Sequence, residues 1–365
     1  MVLLHYYHIY GGVITDRYSP RKLMSSALFL TALGGLVLAS YPSYQTLQIL
    51  YGYWGFTSVF LFWGAMIKAT RLWGGDNNQG KAFGFLDGGR GIVAASMGSI
   101  GVFVFTIVLT SDIESASVLE RQEAFRYVIL LSSFMVAFIG LLVLIFLRNM
   151  EDKNTNFELP LNTLTNIKGV LKNESIWLLM LIIMCAYVGY KVTDIYSLYA
   201  SEVMLYDQIE AAEVGALQLY LRPIVCIAIG LLADRTKNMF WIIFGFVTML
   251  IGALIFSFGI IKPDMNFIFF LSLVILAVGT YSIRALYFAV LKEANVAFAL
   301  TGTAVGIISV VGYSPDIFAG PIMGYLLDEN PGIIGHQYVY FMLVIFSIIG
   351  LIASIRFARL TKSSG

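Results

Sequence analysis

Long apolar runs separated by short polar stretches fill this chain from end to end. A bilayer hydrocarbon core is about 30 Å thick and asks for about 20 apolar residues per spanning helix. The pattern predicts ten full spans, over 21–40, 45–68, 80–109, 124–148, 173–200, 210–233, 238–260, 267–290, 299–327 and 337–358. The opening run, residues 1–14, would reach only about 21 Å as a helix and reads as the end of a span. Residues 149–172 form the longest polar stretch, with an amphipathic piece around Leu161–Leu171. They divide the chain into an N-terminal helix bundle over 1–148, a linker over 149–172 and a C-terminal bundle over 173–365.

The two bundles repeat one another. Gly12-Val-Ile-Thr-Asp16-Arg17-Tyr-Ser-Pro20-Arg21-Lys22 recurs 218 positions later as Gly230-Leu-Leu-Ala-Asp234-Arg235-Thr-Lys237-Asn238. The same shift lays the four spans after Asp16 on the four after Asp234, as expected for a membrane protein of two similar halves. The predicted class is an all-α membrane protein of two pseudo-symmetric helix bundles.

Composition agrees. Of 365 residues, 59% are hydrophobic and 12% charged, against about 25% charged in soluble domains, so the solvent must be largely lipid. The net charge of +1 argues neither for nor against nucleic acid, but no basic stripe tracks a phosphate backbone, so nucleic acid is not an expected partner. Cys185 and Cys226 lie in apolar runs without metal-ligand spacing, so neither metal nor cofactor is expected. Met1 leads into an apolar run without a basic n-region, so no cleavable leader is expected. With the Asp16 loop placed in the cytoplasm, sixteen basic residues fall on that side. Only Arg121, Arg126 and Lys262 fall opposite. The bias predicts a multi-pass inner-membrane protein with a cytoplasmic C-terminus.

Gly-x-x-x-Asp-Arg followed by cations resembles the cytoplasmic loop between helices 2 and 3 of the major facilitator superfamily. The second copy is similar to its echo between helices 8 and 9. Counted in that family's way, and by the two whole spans that precede Asp234 against fifteen residues before Asp16, the chain lacks helix 1 and most of helix 2, roughly 45 residues. A misassigned start, a cut or a genuine short form would each produce this. The resemblance implies that Asp16 clamps the start of helix 11 and Asp234 the start of helix 5. Arg17, Arg21 and Arg235 would strengthen this cytoplasmic gate, with Gly12 and Gly230 opening each motif. The motif departs from the family form at Ser19-Pro20. The antiporter features of drug exporters are absent. The runs 71–81 and 313–324 resemble the organic-anion, organophosphate and nitrate branches.

Seven ionisable residues remain at hydrocarbon depth: Arg90, Lys191, Arg222, Arg284, Asp87, Asp194 and Asp316. Each costs at least ~2.5 kcal/mol against lipid, so each should face a cavity or a partner. They fall on helices 5, 7, 8, 10 and 11 in the family's count. Helices 3, 6, 9 and 12, lipid-facing in that family, carry charge only at their ends. Arg90 and Arg222 lie near the midplane, and Arg grips carboxylate, phosphate or sulfonate through paired hydrogen bonds. They are the first candidates for an anionic substrate group. Alternatively, Asp87 neutralises Arg90 and an unmatched acid neutralises Arg222. Lys191 and Asp194 pair at i, i+3 beside Tyr187, as a polar wall for an oxygen-rich solute or as a structural pair. Arg284 suits a substrate or a gate role. Asp316, with no cation within a turn, could carry a proton or serve as a helix-break residue beside Pro315. Asp87 and Asp194 complete the proton-coupling candidates. Glycines at 84 and 88, 302 and 306, and 320 and 324 are spaced for close helix approach.

The function expected is secondary active symport of a small anionic organic solute by a monomer, through alternating access coupled to protons. Exchange against a second anion is the alternative, and a non-transporting sensor or truncated paralogue is another. An enzyme is not expected, since no metal-protease motif or nucleophile–base arrangement stands out.

Overall fold

A computed structural model describes residues 2–109, 117–148 and 163–362, and no β-strand occurs among them. The helices are α1 (Val2–Arg17), α2 (Pro20–Leu38), α3 (Tyr44–Gly55), α4 (Gly64–Gly74), α5 (Gln79–Val108), α6 (Val118–Phe146), α7 (Thr163–Leu171) and α8 (Glu174–Val192). They continue as α9 (Tyr196–Glu202), α10 (Gln208–Arg235), α11 (Asn238–Ser257), α12 (Asn266–Leu286), α13 (Thr301–Gly312), α14 (Pro315–Glu329) and α15 (Ile333–Lys362). Of the expected linker, 149–162 lies outside the described residues and α7 takes up most of the rest.

Among the described residues, nine helical segments are long and apolar enough to cross a bilayer. The tenth expected span, 45–68, falls on α3 and α4 joined by a π-helical stretch, Phe56–Trp63. A local cause is visible: the Thr57 and Ser58 hydroxyls both donate to the Trp54 carbonyl, competing with the regular backbone ladder. Helix starts follow capping chemistry. Ser117 with Glu120 and Asp207 with Glu210 form reciprocal capping boxes at α6 and α10, each satisfying orphan N–H groups of a first turn. Gly75 (φ +56°) and Gly259 (φ +61°) lie just past α4 and α11 in the left-handed region, where a side chain would be strained. Large apolar side chains stand on the outside, among them Leu33, Phe134, Phe146, Phe240, Phe341 and Ile352, as a lipid solvent allows.

The chain forms two compact units. Unit 1 holds 1–72, 93–167 and 297–307; unit 2 holds 73–92, 168–296 and 308–365. Each therefore includes a short piece from the other half of the chain. In unit 1, α2 packs on α6 and on the π stretch, and α1 on the π stretch. Gly12 of α1 lies against Gly302 of α13, and Gly306 against the His8 carbonyl, with no room for a Cβ. In unit 2, α11 packs on α12 and α15, α15 on α8, and α10 on α12. A Cβ on Gly84 of α5 would meet the Cys226 carbonyl at 2.6 Å and the Gly230 Cα at 2.9 Å. Small residues at these crossings draw each borrowed segment in. Gly320 and Gly324 have open space instead, so that pair makes no close helix approach.

Candidate functional site

Three arginines of unit 2 gather around one carboxylate. Asp87, about 12 Å along α5 at 1.5 Å per residue, is only 5% exposed. Its Oδ1 accepts from Arg222 Nη2 at 2.8 Å and Arg90 Nη1 at 3.4 Å, and its Oδ2 from Arg222 Nε at 3.3 Å. Arg284 Nε stands 3.3 Å from Oδ2, and the Cys226 thiol donates to the same oxygen. The acid left unmatched for Arg222 in the sequence is thus Asp87, 135 positions away. Three guanidiniums from three helices share one carboxylate, and the two buried ones, Arg222 and Arg284, outnumber it by one charge.

The three arginines are not equivalent. Arg222 and Arg284 are nine-tenths buried, whereas the Arg90 side chain is 38% exposed. Arg284 lies flat on Tyr190, its Cζ 3.8 Å from the ring centroid, with Tyr187 at 5.7 Å. Its Nε and Nη1 are buried and have no hydrogen-bond acceptor among the described residues. A buried donor without an acceptor costs about 1–3 kcal/mol, more when charged.

Beside this positive cluster lies a negative one. Lys191 Nζ is 3.2 Å from Asp194 and 3.7 Å from Asp316, and the Tyr187 hydroxyl donates to Asp316 at 3.1 Å. Asp316, with no cation within a turn on its own helix, meets one from another: its side chain is 52% exposed and pairs with Lys191 of α8. Pro315 and Asp316 open α14, where a carboxylate meets the positive end of the helix dipole. Lys191 sits in the last turn of α8 and Asp194 in the 3₁₀ turn that follows it, Thr193–Ile195, which brings the two positions three apart together. Tyr187 packs edge-on against Tyr313, whose hydroxyl meets that of Tyr287 at 2.9 Å.

The two Asp-Arg motifs end in helix clamps. Asp16 accepts from the Gly302 and Thr303 N–H groups at 2.6 and 2.8 Å and from the Thr303 hydroxyl at 2.6 Å. Asp234 accepts from the Gly80 and Lys81 N–H groups at 2.7 and 2.8 Å. Each carboxylate meets the orphan donors and positive dipole end of a helix start. Arg17 and Arg235 are exposed and Arg21 half-buried. Two further cations, read from the sequence only as anchors, reach the Asp16 clamp. Lys68 donates to the Thr15 and Asp16 carbonyls. Arg71 is 1% exposed, donates to Thr301 Oγ1 at 2.7 Å and stacks on Phe298 at 4.3 Å. Their spacing, Lys68 and Arg71 on one helical face, was the available signal.

Beyond the clamp of unit 2 is a cavity of about 550 Å³ whose lining includes Asp76, Lys237, Lys292 and Glu293. The Lys292 ammonium at 2.6 Å holds the Asp76 carboxyl below its ordinary range. Burial pushes the Glu293 carboxyl up.

Comparison with known proteins agrees with this architecture. The chain is 26% identical over 341 residues to the inner membrane protein YqcE of Escherichia coli K12, covering 91% of this chain and 77% of that one. The structure is similar to FucP, a fucose:proton symporter of E. coli, in its outward conformation, with TM-score 0.71, 14% identity and coverage of 97% and 89%. It is also similar to the proton:xylose symporter XylE, with TM-score 0.73, 14% identity and coverage of 99% and 84%. The family model described as Major Facilitator Superfamily matches residues 8–318. With that match over most of its length, the chain belongs to the Major Facilitator Superfamily of multi-pass membrane transporters.

Proposed function

We propose that the protein is a secondary active transporter of a small hydroxylated organic anion, working by alternating access in an inner membrane. The observation that carries this is the arginine cluster: the buried guanidiniums of Arg222 and Arg284 on Asp87 with one charge in excess, and buried Arg284 donors without an acceptor among the described residues. A carboxylate, phosphate or sulfonate supplies the missing charge and the paired acceptors that Arg prefers. Asp194 and Asp316 nearby accept from solute hydroxyls, and the Tyr187, Tyr190 and Tyr313 rings offer flat faces for a compact solute. The relatives in fold include fucose and xylose transporters, which fits a hydroxylated body.

For coupling, Asp194 and Asp316 share one ammonium, leaving a negative charge that a proton can neutralise. Protonating Asp87 would leave three guanidiniums around a neutral group, so this geometry argues against it as the carrier. Anion exchange is favoured by one observation, the same charge excess, since an empty cluster would have to cross its cycle uncompensated. The positive-inside bias supports a cytoplasmic place for the Asp16 and Asp234 loops and for the C-terminus.

Thermal-shift measurements on purified protein with glucuronate, glucose 6-phosphate, glucose and xylose test the reading. Stabilisation by the anions, lost in Arg284→Gln, is expected. Stabilisation by the neutral sugars alone overturns it.

A further inference from the structure

We infer that Asp87 is an internal stand-in for the transported anion. It ties the first half of α5 to α10 and α12, and an anionic group releases that tie by taking over Arg222 and Arg284. This rests on the anionic reading above and adds to it how solute binding reaches the clamp.

The argument starts from donor geometry. Arg222 grips Asp87 through Nε and Nη2, one to each oxygen. That paired geometry is the one a guanidinium uses on any carboxylate or phosphate, so Asp87 and a solute anion compete for the same N–H groups. Arg284 stands at 3.3 Å from Asp87 without the alignment of a hydrogen bond. A larger anion, reaching Nε and Nη1 together, satisfies donors that Asp87 leaves open. A displaced carboxylate would be costly if it became isolated, but it does not. Arg90 is three residues further along the same helix and already 3.4 Å from Oδ1, so it travels with Asp87 and keeps it neutralised. The two buried arginines thus belong to the solute, and the partly exposed Arg90 belongs to Asp87.

The consequence runs along α5. Its residues up to 92 lie in unit 2 and its later ones in unit 1. Its start is held by the Gly80 and Lys81 N–H groups on Asp234 and by the close approach of Gly84 to Gly230. With the tie at Asp87 gone, that segment loses its ion pairs to α10 and α12 and keeps the two hydrogen bonds to Asp234, the close approaches of Gly80, Gly84 and Gly88 to α10, and the packing of Phe83 on Phe288.

Hydrogen–deuterium exchange on the purified full-length protein in detergent, with inorganic phosphate or glucuronate as probe, tests this. In wild type, saturating probe should speed exchange in peptides covering 79–92 at least fivefold. Asp87→Asn should show that faster exchange without probe and bind the probe at least tenfold more tightly. Should Asp87→Asn not fold, the wild-type comparison stands by itself. Arg90→Gln provides a second variant, expected to bind the probe at least tenfold more weakly than wild type, because a displaced Asp87 then has no cation travelling with it; unchanged or tighter binding overturns the inference. Probe binding in wild type with exchange unchanged or slowed overturns the inference and leaves the anionic reading standing. So does an Asp87→Asn protein that is as protected as wild type or binds more weakly. Absence of binding by both probes in wild type and Asp87→Asn overturns the anionic reading and this inference with it.

Discussion

Replacing Asp16 by Ala removes three hydrogen bonds at once, to the Gly302 and Thr303 amides and the Thr303 hydroxyl. Hydrogen bonds to a charged group contribute about 1.5–3 kcal/mol each. Holding a carboxylate that is only 9% exposed offsets part of this through desolvation. A net loss of about 2–4 kcal/mol follows, with the orphaned amides as its main source. The equivalent change at Asp234 removes only two amide bonds at a more open site, for about 1–2 kcal/mol. At about 2 °C per kcal/mol for a large chain, Asp16→Ala should lower Tm by about 4–8 °C and Asp234→Ala by about half as much. Tryptophan fluorescence melting in one detergent reads both. Equal losses, or a larger one at Asp234, would refute the reasoning from clamp geometry.

Other consequences are as direct. Arg222→Gln leaves Asp87 with fewer partners in a buried site and should cost about 3–5 kcal/mol, measurable as a lowered denaturation midpoint along with lost anion binding. Gly84→Ala forces a Cβ onto the Cys226 and Gly230 backbones and should cost about 1–3 kcal/mol, whereas Gly320→Ala, in open space, should change Tm little. The raised carboxyl of Glu293 sets a pH dependence. Because its folded value lies above the unfolded one, its contribution is full below about pH 4.3 and is lost as pH rises through the folded value. Glu293→Gln should therefore melt higher than wild type at pH 7.5, keeping the Asn238 contact, with the gain gone near pH 4; a gain confined to low pH would contradict the assignment.

The spans were legible because lipid imposes one length and one composition on every crossing helix. The motif pair at Asp16 and Asp234 was legible because it repeats, and the Lys191–Asp194 pair because it is local. What stayed hidden is what depends on distance along the chain. Nothing within a turn of Arg222 shows that its partner is Asp87 on another helix, or that Arg284 stacks on Tyr190. Asp316 looked solitary for the same reason, its cation being Lys191 of α8. Lys68 and Arg71 were concealed differently: a cation at a helix end satisfies the positive-inside pattern whether or not it also holds a neighbouring helix. The π stretch at Phe56–Trp63 escaped because hydrophobic periodicity does not record which hydroxyl takes a backbone carbonyl.

The central claim, that Arg222 and Arg284 carry an anion across the membrane, is tested most directly by uptake of radiolabelled glucuronate or glucose 6-phosphate into proteoliposomes. An inward proton gradient and a preloaded counter-anion are imposed in separate runs. Saturable uptake under one of these conditions, abolished by Arg284→Gln, is the predicted result; uptake of neutral xylose alone, equally fast in that variant, would contradict the account.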